Sequence, residues 1–217
     1  MFDEYIEFNE ENMDLLFVNG VVENLKYGLI SLDTMFRGEV ADSFYHDEYT
    51  FFFFHMQSVL TAQGNIWNIL FNTYPRNREI SMERVEKMRD KLKIDFAKYP
   101  LIRNKVFRNT NEHFDERYYH YEKISLGIGD YNILRATTPD WIRQEILSTP
   151  HLRTIDIQNW QYISYDHKGN RHILDLRELK KEMYSMLVDL SECDVIFPTH
   201  RNNSLKEMLK VGCDYAF

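Results

Sequence analysis

Apolar residues recur at helical spacing in two long segments of the N-terminal half. In the first segment, from about Glu11 to Phe36, they lie three or four positions apart, at Leu15, Val18, Val22, Leu25, Leu29, Leu32 and Phe36. This spacing places one apolar stripe along an α-helix. The second segment, about 47–72, has a wider apolar face, which includes the four phenylalanines at 51–54. Such a face predicts a helix buried on two sides, in a bundle or against a second subunit.

Three further helices are predicted from caps and apolar spacing. Ser81 is a candidate N-cap for a helix that continues to about residue 92. Pro100 suits the first turn of the next helix, which we expect to run to about Lys123. A last helix, over about 176–192, begins after Asp175, which forms a candidate capping box with Glu178.

The pattern changes between residue 138 and the last helix. Thr138 is a candidate cap for a short helix over 139–147. The segment from Thr154 to Asp166 is rich in Ile, Trp and Tyr, and a turn at 167–170 separates it from 171–174. We therefore expect a small β-hairpin near 154–174. The predicted fold is mainly α, a helical bundle of four to five main helices with this hairpin at its edge. Its core helices are expected near 11–36, 47–72, 100–123 and 176–192.

Composition narrows the class of protein. The 217 residues are 44% hydrophobic and 28% charged, which is enough apolar material for the core of one domain. Two cysteines, Cys193 and Cys213, cannot build a disulfide framework, so we expect a cytoplasmic protein. The net charge of −8 argues against general coating of nucleic acid but permits a local basic cleft.

No membrane partner is expected. The first twelve residues are acidic, unlike a secretory signal. The most apolar stretch, 49–71, carries several polar side chains, among them His55, Gln57, Ser58, Gln63, Asn65 and Asn68. That number is too high for a lipid-facing span.

The polar side of the predicted helix over 100–123 carries a continuous row of titratable and amide side chains. The row consists of Asn109, Glu112, His113, Glu116, Arg117 and His120. Residues at these steps of three and one share a helix face. One interpretation is a solvated surface with ion pairs such as Arg108 with Glu112. The other is a functional site.

The segment Arg108-Asn109-Thr110-Asn111-Glu112-His113 resembles the active motif of the HEPN (higher eukaryotes and prokaryotes nucleotide-binding) superfamily. In that motif an arginine and a polar residue precede a histidine at this spacing. The resemblance implies a helical domain over 1–217 that dimerises and cleaves RNA without a metal or cofactor. The segment at about 125–175, which bears the hairpin, is then an insertion. A role as a toxin or phage-defence protein, restrained by an antitoxin, is also implied.

The motif residues have the chemistry that this role needs. His113 would transfer a proton, since histidine titrates near working pH. Arg108 would stabilise charge on the scissile phosphate, and Asn109, one turn before His113, would orient the imidazole. Supporting or RNA-binding roles fall to Arg103, Glu112 and Arg117. Residues five apart diverge by about 140° on a helix. Arg108 must therefore reach around, or the helix is distorted, or two subunits share the site.

Two alternatives to this ribonuclease remain. A metal site from His113, Glu116 and His120, with His55 as a further ligand, is disfavoured. His113 and His120 would lie about 10 Å apart along one helix, too far to share one ion. We predict no metal, and His55 is more simply a core histidine. The second alternative is a non-catalytic helical module that dimerises and binds RNA or a protein partner.

Overall fold

The structure, a computed structural model, describes residues 10–38, 48–72, 78–112, 131–149, 153–166 and 168–192. Within these ranges the chain is mostly helical, with a small β-sheet. None of the helices in them combines the length and the apolar character that crossing a membrane requires.

The two N-terminal helices are confirmed and pack against each other. Helix α1 spans Glu10–Arg37 and α2 spans Glu48–Leu70. They run antiparallel, as two contacts show. The Asn65 side chain of α2 donates a 3.0 Å hydrogen bond to Asn24 of α1, and Gly20, earlier on α1, lies against Ile69, later on α2. The apolar stripe predicted for α1 is largely buried, with Val18, Val22, Leu25 and Leu32 each at most 3% exposed.

Helix α3 spans Arg78–Leu92, so it begins three residues before Ser81, and the predicted cap at Ser81 is wrong. A single 3₁₀ turn, Phe96–Lys98, leads into α4, Pro100–Arg103, where Pro100 occupies the first turn as predicted.

The prediction of one continuous helix from Pro100 is also wrong. Helix α4 ends at Arg103, and α5, Val106–Glu112, begins after a break. Asn104 causes the break because its backbone is extended, with ψ 104°, and its side-chain oxygen accepts the N–H of Val106 at 3.0 Å. A side chain that satisfies a free N–H at a helix start stabilises a new N-terminus.

A four-stranded sheet replaces the two-stranded hairpin that the sequence predicts. Its strands are β1 (Tyr131–Leu134), β2 (Arg153–Asp156), β3 (Gln161–Tyr165) and β4 (Arg171–Asp175). The sheet order is β1-β2-β3-β4, with β1 parallel to β2 and the other pairs antiparallel.

The segment predicted as one strand, 154–166, turns back at Asp156. Its carboxylate accepts the N–H groups of Gln158 and Asn159, and Trp160 has a positive φ of 53°. The chain therefore reverses at 157–160 and forms two strands.

Helix α6, Asp140–Ser148, connects β1 to β2. The predicted cap at Thr138 is wrong, because the Thr138 hydroxyl accepts the N–H of Arg135 at 2.8 Å instead. Pro139 occupies the N-cap position. The crossover needed between two parallel strands is thus supplied by a helix.

Helix α7, Leu176–Glu192, is confirmed, and so is its cap. Asp175 accepts the N–H groups of Arg177 and Glu178 at 2.9 and 3.0 Å. Its apolar face joins α1, α2 and one face of the sheet in a common core. Gly28 permits the close approach of α1 and α7, since a Cβ there would lie 2.7 Å from the sulfur of Met183.

Candidate functional site

The side chain of Arg108 lies directly against helix α2. Arg108 belongs to α5, and its aliphatic stem crosses α2 at Gly64. A Cβ atom at position 64 would lie 2.5 Å from Cδ of Arg108 and 2.9 Å from Nε. Any larger residue at 64 would therefore displace the arginine. The glycine in this helix interior has a specific structural role, which offsets its low helix propensity.

Asn68, one turn after Gly64, holds the end of the Arg108 side chain. Nη1 of Arg108 donates a 3.0 Å hydrogen bond to Oδ1 of Asn68. The same oxygen accepts Nδ2 of Asn72 at 3.1 Å, and the backbone carbonyl of Asn68 accepts Nη2 of Arg84 at 3.3 Å. Asn68 thus brings two guanidinium groups from two other helices, α3 and α5, to one place on α2.

Three more cations surround the same end of α2. Nζ of Lys105 lies 5.5 Å from the ring centroid of Trp67. The guanidinium carbons of Arg89 and Arg103 lie 4.8 and 5.6 Å from the ring centroid of Phe71. We call these five residues, Arg84, Arg89, Arg103, Lys105 and Arg108, the basic cluster. They lie beside the C-terminal end of α2, where the partial negative charge of the helix dipole favours cations.

Carboxylates do not neutralise most of the basic cluster. Within the described part of the chain, Arg84, Arg89, Arg103 and Lys105 form no ion pair with an acidic side chain. The Nε atoms of Arg84 and Arg89 are buried and have no hydrogen-bond partner among the described residues. Such an arrangement of guanidinium groups suits a phosphate or another anion.

Two polar side chains hold α4 in place next to the basic cluster. Gln63 of α2, 1% exposed, donates to the carbonyls of Leu101 and Asn104. Glu182 of α7 accepts the N–H groups of Leu101 and Ile102 at 2.9 and 3.0 Å. Burial raises the pKa of Glu182, and these two hydrogen bonds oppose the rise. Helices α2 and α7 thereby set the position from which Arg103, Lys105 and Arg108 project.

Some of the predicted site residues lie in this arrangement. Arg108 and Arg103 are members of the basic cluster, and Asn109, the next residue on α5, is half-buried. Arg103 lies on α4, on the other side of the break from Arg108. Glu112 ends α5, and its side chain is not among those described.

The other motif residues lie outside the described residues. These are His113 and Arg117, together with Glu116 and His120 of the disfavoured metal site.

His55 lies beside two aromatic rings but is only half-buried, so the prediction of a core histidine is not confirmed. Its ring is 4.9 Å from that of Phe51 and 5.3 Å from that of Phe54. Burial lowers its pKa, which favours the neutral imidazole. In the ranges that the structure describes, no three His, Cys, Asp or Glu side chains group together as metal ligands.

Sequence reasoning missed four contributors to this site: Gly64, Asn68, Arg84 and Arg89. One signal was present in the sequence. Gln63, Asn65 and Asn68 interrupt an otherwise apolar helix, and Gln63 is almost fully buried. Buried amides require hydrogen-bond partners, so these positions mark where another element must approach α2. Arg84 and Arg89 gave no comparable signal, because charged residues on a helix are usually solvated.

A separate groove on α3 is a less suitable site. It has a volume of about 570 Å³ and is open to solvent, and it is lined by Glu83, Glu86, Lys87, Asp90, Lys91 and Lys93. Acidic and basic residues alternate there, so their fields largely cancel.

Comparison with known proteins adds no name to this site. No family model, curated protein or solved structure matches the chain.

Proposed function

We propose that the protein is a metal-independent ribonuclease of the HEPN type, with Arg108 and His113 as its catalytic residues. One observation carries the proposal. Arg108 of the motif is held by Asn68 and is a member of a basic cluster, most of which has no carboxylate partner among the described residues. A polyanion such as RNA is the substrate that this charge distribution favours.

The proposed reaction uses the RNA 2′-hydroxyl as its nucleophile. The 2′-oxygen bonds to the neighbouring phosphorus, the bond from phosphorus to the 5′-oxygen breaks, and a 2′,3′-cyclic phosphate forms. One proton leaves the 2′-hydroxyl and one arrives at the 5′-oxygen. His113 transfers protons in this scheme, and Asn109 orients its ring. Arg108 stabilises the charge that develops on the phosphate oxygens, so no divalent ion is required.

A homodimeric helical bundle is part of the proposal. Residues 108 and 113 diverge on a regular helix, so two copies of the chain can each supply part of one site. The pair formed by α1 and α2 leaves Tyr27, Ile30 and Phe54 between 55% and 60% exposed, and these side chains would be covered by a second copy. Light scattering should give twice the mass of the 26.3 kDa chain. A monomer at tens of micromolar would contradict the dimer.

Cleavage of mixed-sequence RNA in EDTA tests the proposal. We expect products that end in 2′,3′-cyclic phosphate. His113→Ala should lower the rate at least about 100-fold, because positioned proton transfer typically contributes that much or more. Arg108→Lys should recover little of the activity that Arg108→Ala loses, because a lysine cannot reproduce the guanidinium fork. Asn109→Ala should lower the cleavage rate less than His113→Ala or Arg108→Ala does. Activity that survives both alanine variants, or that chelation abolishes, would refute the assignment.

Asn68 and Asn65 form a matched pair for the same assay. Both are amides on α2, and each makes a cross-helix hydrogen bond, Asn68 to Arg108 and Asn65 to Asn24. Asn68 hydrogen-bonds the proposed catalytic arginine, whereas Asn65 hydrogen-bonds α1, so Asn68→Ala should lower cleavage about tenfold and Asn65→Ala should leave it unchanged. Equal effects of the two substitutions would remove Asn68 as a positioning residue.

A second candidate function is RNA binding without cleavage. It is favoured by the cations that lie on aromatic rings, an arrangement common where single strands bind. Tight RNA binding with no cyclic-phosphate product would select this candidate. Under either function we propose a cytoplasmic protein, and for the ribonuclease a toxin or phage-defence role with an antitoxin partner.

A further inference from the structure

Arg89 and Arg103 form a pair of cations that is separate from Arg108. They come from different helices, α3 and α4, and both guanidinium groups lie on the ring of Phe71. Arg89 also lies 5.6 Å from the ring centroid of Phe96. The aromatic rings hold the two side chains in place without neutralising them.

The charges of this pair are only partly compensated. Burial lowers the pKa of Arg89, and the positive charge of Arg103 lowers it further, while Glu86, one turn earlier on α3, opposes the change. Neither arginine forms an ion pair with a carboxylate in the described ranges, and Nε of Arg89 is buried with no partner there. Two neighbouring like charges favour binding of an anion, because the anion relieves their repulsion.

The pair is placed to extend the site at Arg108. Phe71, which contacts the pair, follows Asn68 by three residues at the end of α2, so the side chains that hold the two groups of cations lie about one turn apart. A chain of phosphates matches such a row of cations. Guanidinium planes also stack on unpaired bases, which an acidic peptide does not provide.

We propose that Arg89 and Arg103, on the ring of Phe71, form a second phosphate subsite that holds the backbone of single-stranded RNA beside Arg108. RNA as the ligand rests on the function proposed above. The subsite itself requires neither cleavage nor His113. Its occupant is the phosphodiester next to the one that Arg108 contacts, so the pair sets affinity and position and makes no contact with the reacting atoms.

Fluorescence anisotropy with a labelled 2′-O-methyl RNA of mixed sequence tests the subsite, because this RNA binds without being cleaved. Arg103 is exposed, so Arg103→Gln should not disturb the fold. Arg103→Gln and Arg89→Gln should each weaken binding about three- to tenfold. Each should also reduce the slope of log K against log salt by about 0.7, the value for one phosphate contact on a single strand. Arg177→Gln removes an exposed arginine of α7 and should change neither quantity.

Other results would overturn the subsite. Arg103→Gln with wild-type affinity and slope would contradict it, as would an equal loss in Arg177→Gln, which would indicate net charge alone. Displacement of the RNA by polyglutamate at the same concentration of negative charge would point to an acidic protein ligand. Displacement by pyrophosphate alone would point to a small phosphate ligand. If binding passes this test and the cleavage assay fails, the subsite stands and the ribonuclease does not.

Discussion

Arginine is used in two different ways in this protein, in the sheet and at the end of α2. Beside the sheet, Arg143 of α6 donates to the Asp156 carboxylate at 3.0 Å and to the carbonyl of Arg135 at 2.8 Å. Asp156 is only 4% exposed. At the end of α2, Arg89 and Arg103 instead lie on the ring of Phe71, without a carboxylate partner in the described part of the chain.

The comparison distinguishes a cation that is paired with a buried carboxylate, Arg143, from cations that have no carboxylate partner among the described residues, Arg89 and Arg103. A buried carboxylate that has a cation and backbone N–H groups as partners is satisfied, and it fixes the turn at 157–160. Cations that have only aromatic rings as partners retain their attraction for an anion. The charges beside the sheet therefore hold the chain in place, whereas Arg89 and Arg103 have no carboxylate partner among the described residues.

The largest expected difference between the two regions is in stability. Arg143→Met leaves the buried Asp156 without its cation, which should lower the free energy of unfolding by about 3 kcal/mol. Arg103→Met removes an exposed cation from a ring face and should cost less than about 1 kcal/mol. Chemical denaturation of the two variants measures both values. Equal losses would mean that Arg103 is as structural as Arg143.

Gly64→Ala should disturb the basic cluster without destabilising the fold. The new methyl group would collide with Cδ of Arg108 and move its guanidinium away from Asn68. RNA cleavage should fall at least about tenfold, as expected when a charge-stabilising group is displaced. The free energy of unfolding should change by less than about 1 kcal/mol, because the higher helix propensity of alanine, worth about 1 kcal/mol, offsets the cost of displacing the arginine.

Gly20→Ala is the matched control on α1. Its Cβ would lie 3.2 Å from the tip of the Ile69 side chain and would not touch Arg108. Cleavage should therefore persist in this variant. Loss of cleavage in both variants would indicate that packing of α1 on α2, and not the position of Arg108, controls the activity.

The smallest expected effect concerns Glu182, a carboxylate that has backbone N–H groups as partners instead of a cation. Its raised pKa means that the folded state holds a proton which the unfolded state has already lost. Above the ordinary glutamate pKa of about 4.3, the stability that this residue contributes should therefore decline as pH rises. Glu182→Gln should lack this component of the decline.

Denaturation of the wild type and Glu182→Gln between about pH 4 and pH 7 measures the effect. The stability of the wild type relative to the variant should decrease across this window. Glu145→Gln, on the exposed side of α6, serves as a control for the same chemical change. A relative stability that rises with pH would contradict the direction of the Glu182 shift.

The long helices could be predicted from the sequence because their signals are local. The apolar spacing of α1 and α7 lies within each helix, and Asp175 caps its own α7. The α4–α5 break was missed although its signal is local, since the side chain of Asn104 caps Val106. The contacts that hold α4 in place could not be predicted, because Gln63 and Glu182 make them from about 40 and 80 residues away in sequence. The sheet was underestimated for a similar reason. β1 pairs with β2 across an intervening helix, and every residue of β2 is buried, which leaves no alternating pattern.

In the candidate site, too, the residues with a local sequence signal were predicted and those that depend on contacts between elements were not. Arg108 and Asn109 were found because they lie within one short motif. Arg84 and Arg89 reach the site only because α3 packs beside the end of α2, where Asn68 and Phe71 contact them. Contacts between separate elements depend on tertiary packing, and a periodicity within one helix carries no information about them.

The rate of RNA cleavage by Arg108→Ala and Arg143→Met, measured side by side, tests the central claim most directly. Both variants lose an arginine, and the assay is run at a temperature at which circular dichroism shows each to be folded. We predict that Arg108→Ala loses at least about 100-fold in rate, the size expected for removal of a charge-stabilising group, whereas Arg143→Met remains within about threefold of wild type. Cleavage that persists in Arg108→Ala, or that falls equally in both variants, would contradict the account.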